Sequence, residues 1–187
     1  MALKLLLPLL LLGVVLATDY AANLQVDASN PFASVDSFNF GEGNTYTIMM
    51  HARTKSWSGA KTVFHAYGSN ADPGGDDKQV MIRMINGNKF GLCFGRNQYY
   101  TEVNANGGNF EVAADQMFSL VVTAEKVTGA SSDRVTVTIY VNNKEKFRGQ
   151  ISGKIASGSR YATLGARFNG EANARTEFWN GQVDNVL

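Results

Sequence analysis

Apolar and polar residues alternate with period two in several runs of this chain. In the run from Tyr46 to Ala52, the residues Tyr46, Ile48, Met50 and Ala52 share one side. Phe118, Leu120, Val122 and Ala124 do the same in a later run. The plainest case runs from Val135 to Val141: Val135, Val137, Ile139 and Val141 point one way, and Thr136, Thr138 and Tyr140 the other. Successive side chains of a strand leave opposite faces, so this pattern predicts antiparallel sheets with one buried face each.

Turn residues separate the runs. Asn-Gly occurs at Asn86-Gly87, Asn106-Gly107, Asn169-Gly170 and Asn180-Gly181, and Asn142-Asn143 stands between two further strand candidates. Asn and Gly accept the positive φ of tight hairpins, so each pair is expected to mark a turn. Val80 to Ile85 and Phe90 to Phe94 read as strands flanking the turn at Asn86-Gly87-Asn88. No run shows convincing helical periodicity; Glu111 to Met117 is the best short candidate, as one turn or a loop. Gly68 to Lys78 and Val127 to Asp133 read as looser connections. Many short strands with regular turn signals predict an all-β domain, a sandwich or a barrel.

Length bounds this to one domain, since 187 residues suit a single core. The N-terminus stands apart. Residues 1–17 open as Met-Ala-Leu-Lys, with Lys4 the one charge, continue as an apolar run from Leu5 to Leu16 and end at Ala17. A basic start, a short apolar run and small or aliphatic residues before the boundary predict a secretory signal peptide, removed to leave a domain over 18–187. The run is shorter than the roughly 18–20 residues that cross a bilayer, and Pro8 interrupts it. The expected localisation is therefore secreted, with no stable membrane insertion.

The formal net charge is +1, and loss of Lys4 would bring it to zero. With no basic block, neither nucleic acid nor an anionic membrane is an expected partner. One cysteine, Cys93, excludes an intrachain disulfide framework and a four-cysteine zinc site. It lies between large apolar residues, which predicts a buried, inert thiol, with an intermolecular disulfide as the alternative. The chain holds 17 Asn but no Asn-x-Ser/Thr sequon, so N-glycosylation is not expected.

Four segments in order carry a family resemblance. They are Asn44 to Arg53, Gln116 to Ala124, Val135 to Asn143, and the closing pair of Leu164 to Gly170 with Phe178 to Val186. Together they resemble the strand motifs of laminin-G-like domains in the concanavalin A-like lectin/glucanase superfamily. The likeness spans roughly Leu24 to Leu187. It implies a single-domain, two-sheet antiparallel β-sandwich, the concanavalin A-like jelly roll. Every matched position is a core or turn residue, so the resemblance speaks to fold and not to function.

The glucanases of that superfamily carry paired carboxylates on one strand in an E-x-D-x-x-E pattern, which this sequence lacks. Glycoside hydrolysis needs an acid and a second carboxylate at a fixed separation. Glu111 and Asp115 are the nearest candidates, yet their segment does not alternate as a strand does. The Arg, Gln-x-His and Tyr motifs of alginate-type lyases are also missing. His51, His65 and Cys93 have no spacing that suggests a dyad or a metal site. No catalytic residue is assigned, and the protein is expected not to be an enzyme.

Sugar recognition combines an aromatic face with planar amide, carboxylate or guanidinium groups. Three clusters have that make-up: Trp57 in an early loop; Arg96, Asn97, Gln98, Tyr99 and Tyr100; and Arg167, Asn169, Glu171 and Asn173. For each the plain alternative is ordinary, a Trp covering the core edge or Asn serving turn geometry. Members of the superfamily often bind calcium at the sandwich rim, and the resemblance makes Asp72, Asp76 and Asp77, the last two above all, candidate oxygen donors for Ca2+; the segment lacks EF-hand spacing, and the plain alternative is a solvated acidic loop. The leading expectation is a non-catalytic carbohydrate-binding domain whose partner is a glycan or glycoprotein. A structural or adhesive protein that engages protein partners or forms a homo-oligomer, through Cys93 or the apolar final strand, stands second. An atypical glycoside hydrolase or lyase stands third.

Overall fold

A computed structural model of the protein describes residues 33–39, 43–67, 80–95, 101–130, 133–155, 159–169 and 174–184. The signal segment and the Asp72, Asp76 and Asp77 candidates lie outside the described residues. The strands are β1 (Ala33–Asn39), β2 (Thr45–Thr54), β3 (Ala60–Tyr67), β4 (Val80–Ile85), β5 (Lys89–Phe94), β6 (Thr101–Asn104) and β7 (Met117–Lys126). They continue as β8 (Arg134–Val141), β9 (Lys144–Ser152), β10 (Ser159–Leu164), β11 (Arg167–Asn169), β12 (Ala174–Thr176) and β13 (Gly181–Asp184). No helix occurs among the described residues.

The strands form a six-stranded sheet, β1-β10-β3-β4-β5-β6, and a five-stranded sheet, β13-β2-β7-β8-β9; β11 and β12 pair as a separate ribbon. Every pairing is antiparallel. The alternating runs read from the sequence are the inner faces of β2, β7 and β8. Ile48, Met50 and Ala52 are buried, as are Phe118, Leu120, Val122 and Ala124, and Val135, Val137, Ile139 and Val141. Across the core they meet Phe64, Ala66, Val80, Ile82, Met84, Phe90, Leu92 and Phe94 of the six-stranded sheet.

The six-stranded sheet departs from the expected one-sided burial. β4 is buried at every position, as are β5 after Lys89 and β3 after Lys61. The outer-face residues His65, Tyr67, Met81, Arg83 and Cys93 are thus hidden along with the core face. Continuous apolar runs are what a strand covered on both sides requires, and the Val80–Ile85 sequence has that character. Thr138, an outward residue of β8, is likewise only 4% exposed.

The turns mostly match their sequence signals. Asn86 (φ 51°) and Gly87 (φ 71°) close the β4–β5 hairpin, and Asn142 (φ 49°) and Asn143 (φ 62°) close β8–β9. Asn180-Gly181 differs. Gly181 has no positive φ and instead begins β13, where a Cβ would overlap the Arg53 carbonyl oxygen. Glycine serves close backbone approach there rather than a turn. Glu111 to Gln116 is a loop, without a helix, and Met117 already belongs to β7.

Two devices hold the sheets together. The first is the segment Glu177 to Gly181, which passes from one sheet to the other. The Glu177 carbonyl accepts from the Thr62 amide of β3 at 2.9 Å, and the Asn180 carbonyl from the Lys55 amide just after β2 at 2.7 Å. Between them Trp179 is fully buried, donates its indole N–H to the Arg53 carbonyl at 2.9 Å, and meets Trp57 and Phe118 with ring centroids 6.1 and 6.3 Å away.

The second is in the β6–β7 connection. The register of β8 on β9 slips between Ile139 and Tyr140, which pair with Phe147 and Glu145 and leave Lys146 as the extra residue. A bulge re-aims its side chain. The Lys146 ammonium is buried and sits 2.8 Å from Glu111, whose other oxygen lies 2.7 Å from Lys144. Hydrogen bonds and charge from Lys144 and Lys146 hold the Glu111 carboxyl down to about 2.

Two outcomes follow from this packing. Trp179→Ala removes a fully buried side chain and is expected to cost about 3–5 kcal/mol of stability, measured by urea unfolding; Phe147→Ala, at the partly buried margin, costs markedly less. Glu111 binds its proton more weakly folded than unfolded, so its stabilisation is complete above the ordinary carboxylate range and is lost as pH falls towards about 2. Glu111→Gln is expected to lower the urea midpoint at neutral pH and to flatten its fall in acid. An unchanged acid limb would show that this pair is idle.

Candidate functional site

The outer face of the six-stranded sheet gathers the polar and aromatic groups that the core excludes. Cross-strand register decides which residues meet there. Tyr161 of β10 lies opposite Tyr67 of β3, Thr163 opposite His65, His65 opposite Met81 of β4, Met81 opposite Cys93 of β5, and Thr62 opposite Arg83. Directly opposed residues share a face, as do positions two apart. The register slip between Thr62 and Phe64 brings Thr62 to the same side as His65. A strip of Tyr161, Tyr67, His65, Thr62 and Arg83 therefore runs along β3.

One end of the strip is aromatic. Tyr67 and Tyr161 stack with ring centroids 6.0 Å apart and an interplanar angle of 23°, and His65 lies 5.2 Å from Tyr67. Tyr67 and His65 are buried, while Tyr161 is half-buried.

The other end is charged. Glu177 follows β12 with φ 55°, a left-handed conformation, and its carboxylate is held from three directions. Arg83 Nε lies 2.7 Å from Oε2, Thr62 Oγ1 donates to Oε2 at 3.0 Å, and Arg167 donates to Oε1 at 3.3 Å. Gly91, opposite Arg83 on β5, has no side chain to compete for that face. The Arg83 side chain is 5% exposed and that of Arg167 27%. Among the described residues two guanidinium groups face this one carboxylate, and Arg167 is the more exposed of the two. The arrangement can orient a hydroxyl-rich or anionic group, since guanidinium forks suit both carboxylates and polar oxygens.

Of the candidates read from the sequence, Arg167 belongs to this cluster. Asn169 lies in β11, with its side chain outside the described residues, as are Arg96, Asn97, Gln98, Tyr99, Tyr100, Glu171 and Asn173 entirely. Trp57 sits elsewhere. It precedes β3 at the end of the sandwich that carries the β4–β5 hairpin, whereas the β3–β4 and β5–β6 connections leave from the opposite end. Its indole N–H donates to the Val112 carbonyl at 2.9 Å, and its ring packs 5.3 Å from Phe110 and 5.7 Å from Phe118.

Arg83 and Glu177 were not picked out by composition. The available signal was Arg83 itself, the one charge in the apolar run Val80–Ile85. A cation buried in a strand requires a carboxylate partner, though sequence does not say which.

The remaining candidate chemistry is dispersed. Glu111 is held by Lys144 and Lys146, while Asp115 lies 3.8 Å from Arg53, so the two carboxylates serve different cations. His51 is exposed on β2, and His65 is buried on the other sheet. Cys93 keeps a buried thiol that forms no disulfide; burial, then the charge of this thiol, push the Tyr46 phenol well above its ordinary range. Among the described residues no three His, Cys, Asp or Glu side chains cluster as a metal site would need.

Comparison with the sequence profiles of protein families finds no match, and neither does comparison with curated protein sequences. Solved structures do match in shape. A heptameric SAP-like pentraxin from Limulus polyphemus aligns over 89% of this chain and 73% of its own, with a TM-score of 0.56 at 12% identity. The CBM40 module of a Ruminococcus gnavus IT-sialidase, bound to α2,3-sialyllactose, aligns over 83% of this chain and 90% of its own, with a TM-score of 0.50 at 12% identity. NanB sialidase from Streptococcus pneumoniae aligns over 82% of this chain but 25% of its own, with a TM-score of 0.55 at 14% identity. At such identities the likeness establishes architecture alone: the protein is an all-β, two-sheet antiparallel sandwich with the concanavalin A-like jelly-roll fold.

Proposed function

We propose that this protein is a secreted, non-catalytic, lectin-like module that binds glycan on the outer face of its six-stranded sheet. The observation that carries the reading is the strip itself. Tyr161 and Arg167 are the partly exposed members of one face, stacked on buried Tyr67 and paired through Glu177 with buried Arg83, so an aromatic edge and a guanidinium are held in place by the groups beneath them. The fold supports it, because the similar structures include a carbohydrate-binding module bound to a sialylated sugar. A laminin-G-like ancestry, removal of residues 1–17 on secretion, and calcium held by Asp72, Asp76 and Asp77 belong to the same proposal. The sequence candidates Arg96, Asn97, Gln98, Tyr99, Tyr100, Glu171 and Asn173 belong to the same proposal as further ligand contacts.

An adhesive role through Cys93 has less support. A thiol with 2% exposure reaches another molecule only if the sheet opens. The final described strand, β13, is an edge of the five-stranded sheet and keeps strand addition in play as the second reading.

A glycan array that includes neutral and sialylated sugars, probed with the protein in calcium and again in EDTA, tests the proposal. Selective binding is expected, and its loss in EDTA would assign calcium a part. Arg167→Ala is expected to weaken that binding about tenfold to a hundredfold, the worth of one charge-assisted hydrogen bond. Tyr161→Ala is expected to weaken it as well, while Trp57→Phe leaves it unchanged. Absence of binding in both buffers would remove the lectin reading in favour of the adhesive one.

A further inference from the structure

We propose that Asn106 is a site of spontaneous covalent modification, converting to aspartate and isoaspartate while Asn86 and Asn180 in the same dipeptide context are protected by the fold. All three are followed by glycine. In this reaction the amide nitrogen of the following residue loses its proton and attacks the carbonyl carbon of the Asn carboxamide. The new N–C bond closes a succinimide, the bond from that carbon to the carboxamide nitrogen breaks, and this nitrogen leaves as ammonia with the displaced proton. Water then adds at either ring carbonyl to give aspartate or isoaspartate. Glycine in second place favours closure because no side group crowds the attacking nitrogen.

The structure treats the three pairs differently. The Asn86 Oδ1 accepts from the Gly59 amide at 2.8 Å, and a Cβ at Gly87 would lie 3.3 Å from the Trp57 ring, so both halves of the reacting pair are held. Asn180 is exposed, but Gly181 is buried in β13, where a Cβ would overlap the Arg53 carbonyl of β2. Ring closure there requires β13 to separate from β2.

Asn106, Gly107, Gly108 and Asn109 are all exposed. Gly107 (φ 79°) and Gly108 (φ 80°) form a turn with the Gly108 amide donating to the Ala105 carbonyl at 2.9 Å. Among the described residues no hydrogen bond engages the Asn106 carboxamide. Two consecutive glycines also let the backbone rotate at small cost towards the closed ring.

The position is consequential. The Asn106 backbone amide donates to the Lys146 carbonyl at 2.6 Å and so ties the β6–β7 connection to β9. A Cβ at Gly107 would lie 3.7 Å from Glu111 Oε1, so the reacting dipeptide adjoins the Glu111–Lys146 pair. Isoaspartate also lengthens the backbone by one methylene at the residue that makes the Lys146 bond. Conversion therefore adds negative charge and loosens one of the two ties between the sheets.

The test is to age the full-length protein in mildly alkaline buffer, digest it, and measure conversion at each site by peptide mass spectrometry with isoaspartyl methyltransferase labelling. A parallel sample is aged in guanidinium chloride. In the folded protein Asn106 is expected to convert at least about tenfold faster than Asn86 or Asn180, the factor that one retained hydrogen bond or packed contact provides. In denaturant the three rates should converge, since their local sequence is alike. Comparable rates at the three sites in the folded protein would overturn the proposal. So would an Asn106 that stays intact when folded but converts in denaturant.

Discussion

The interaction on which the sandwich most depends is the passage of Glu177 to Gly181 between the sheets, with Trp179 at its centre. A polar backbone is expensive to bury, so this crossing exists only because its groups are satisfied on both sides. Glu177 serves β3, Trp179 reaches Arg53 of β2, and Asn180 accepts from Lys55. The indole then fills the gap beside Trp57 and Phe118. Remove that ring and β13, the hydrogen bonds of the crossing and the aromatic cluster lose a common support.

The same crossing fixes the outer face. Because the Glu177 backbone is bound to Thr62, its carboxylate stands above Thr62 and Arg83, which register places opposite one another on β3 and β4. The charged cluster is thus an outcome of how the closing segment enters the sandwich. Burying Arg83 would be costly alone; the ion pair with Glu177 offsets that cost without being a large source of stability. Such a fixed arrangement suits recognition, because the groups a ligand meets are ordered before it arrives.

The sheets differ in what they ask of sequence. The five-stranded sheet has one covered face and shows clean alternation. The six-stranded sheet has β3, β4 and β5 hidden on both faces, and its sequence loses the alternation accordingly. Period-two reading was therefore strongest for β2, β7 and β8. Turn chemistry was equally legible at Asn86-Gly87 and Asn142-Asn143, where positive φ leaves a local requirement. It misjudged Asn180-Gly181, because a glycine needed for close approach has the same letter as one needed for a turn.

Sequence by itself determined the all-β class, the inner faces of three strands, two hairpins and the burial of Cys93, since each follows from local periodicity or conformational preference. Arg167 was legible as a residue type suited to polar recognition. Only the tertiary structure decided that it shares a carboxylate with Arg83, that Trp57 belongs to the core margin against Phe110, Phe118 and Trp179, and that Lys146 turns inward to Glu111. Those outcomes rest on cross-strand register, a bulge and the path of a segment more than a hundred residues away from its contacts on β2. The physical reason is that pairing between residues of distant strands depends on where whole sheets come together, which no short window of residues encodes.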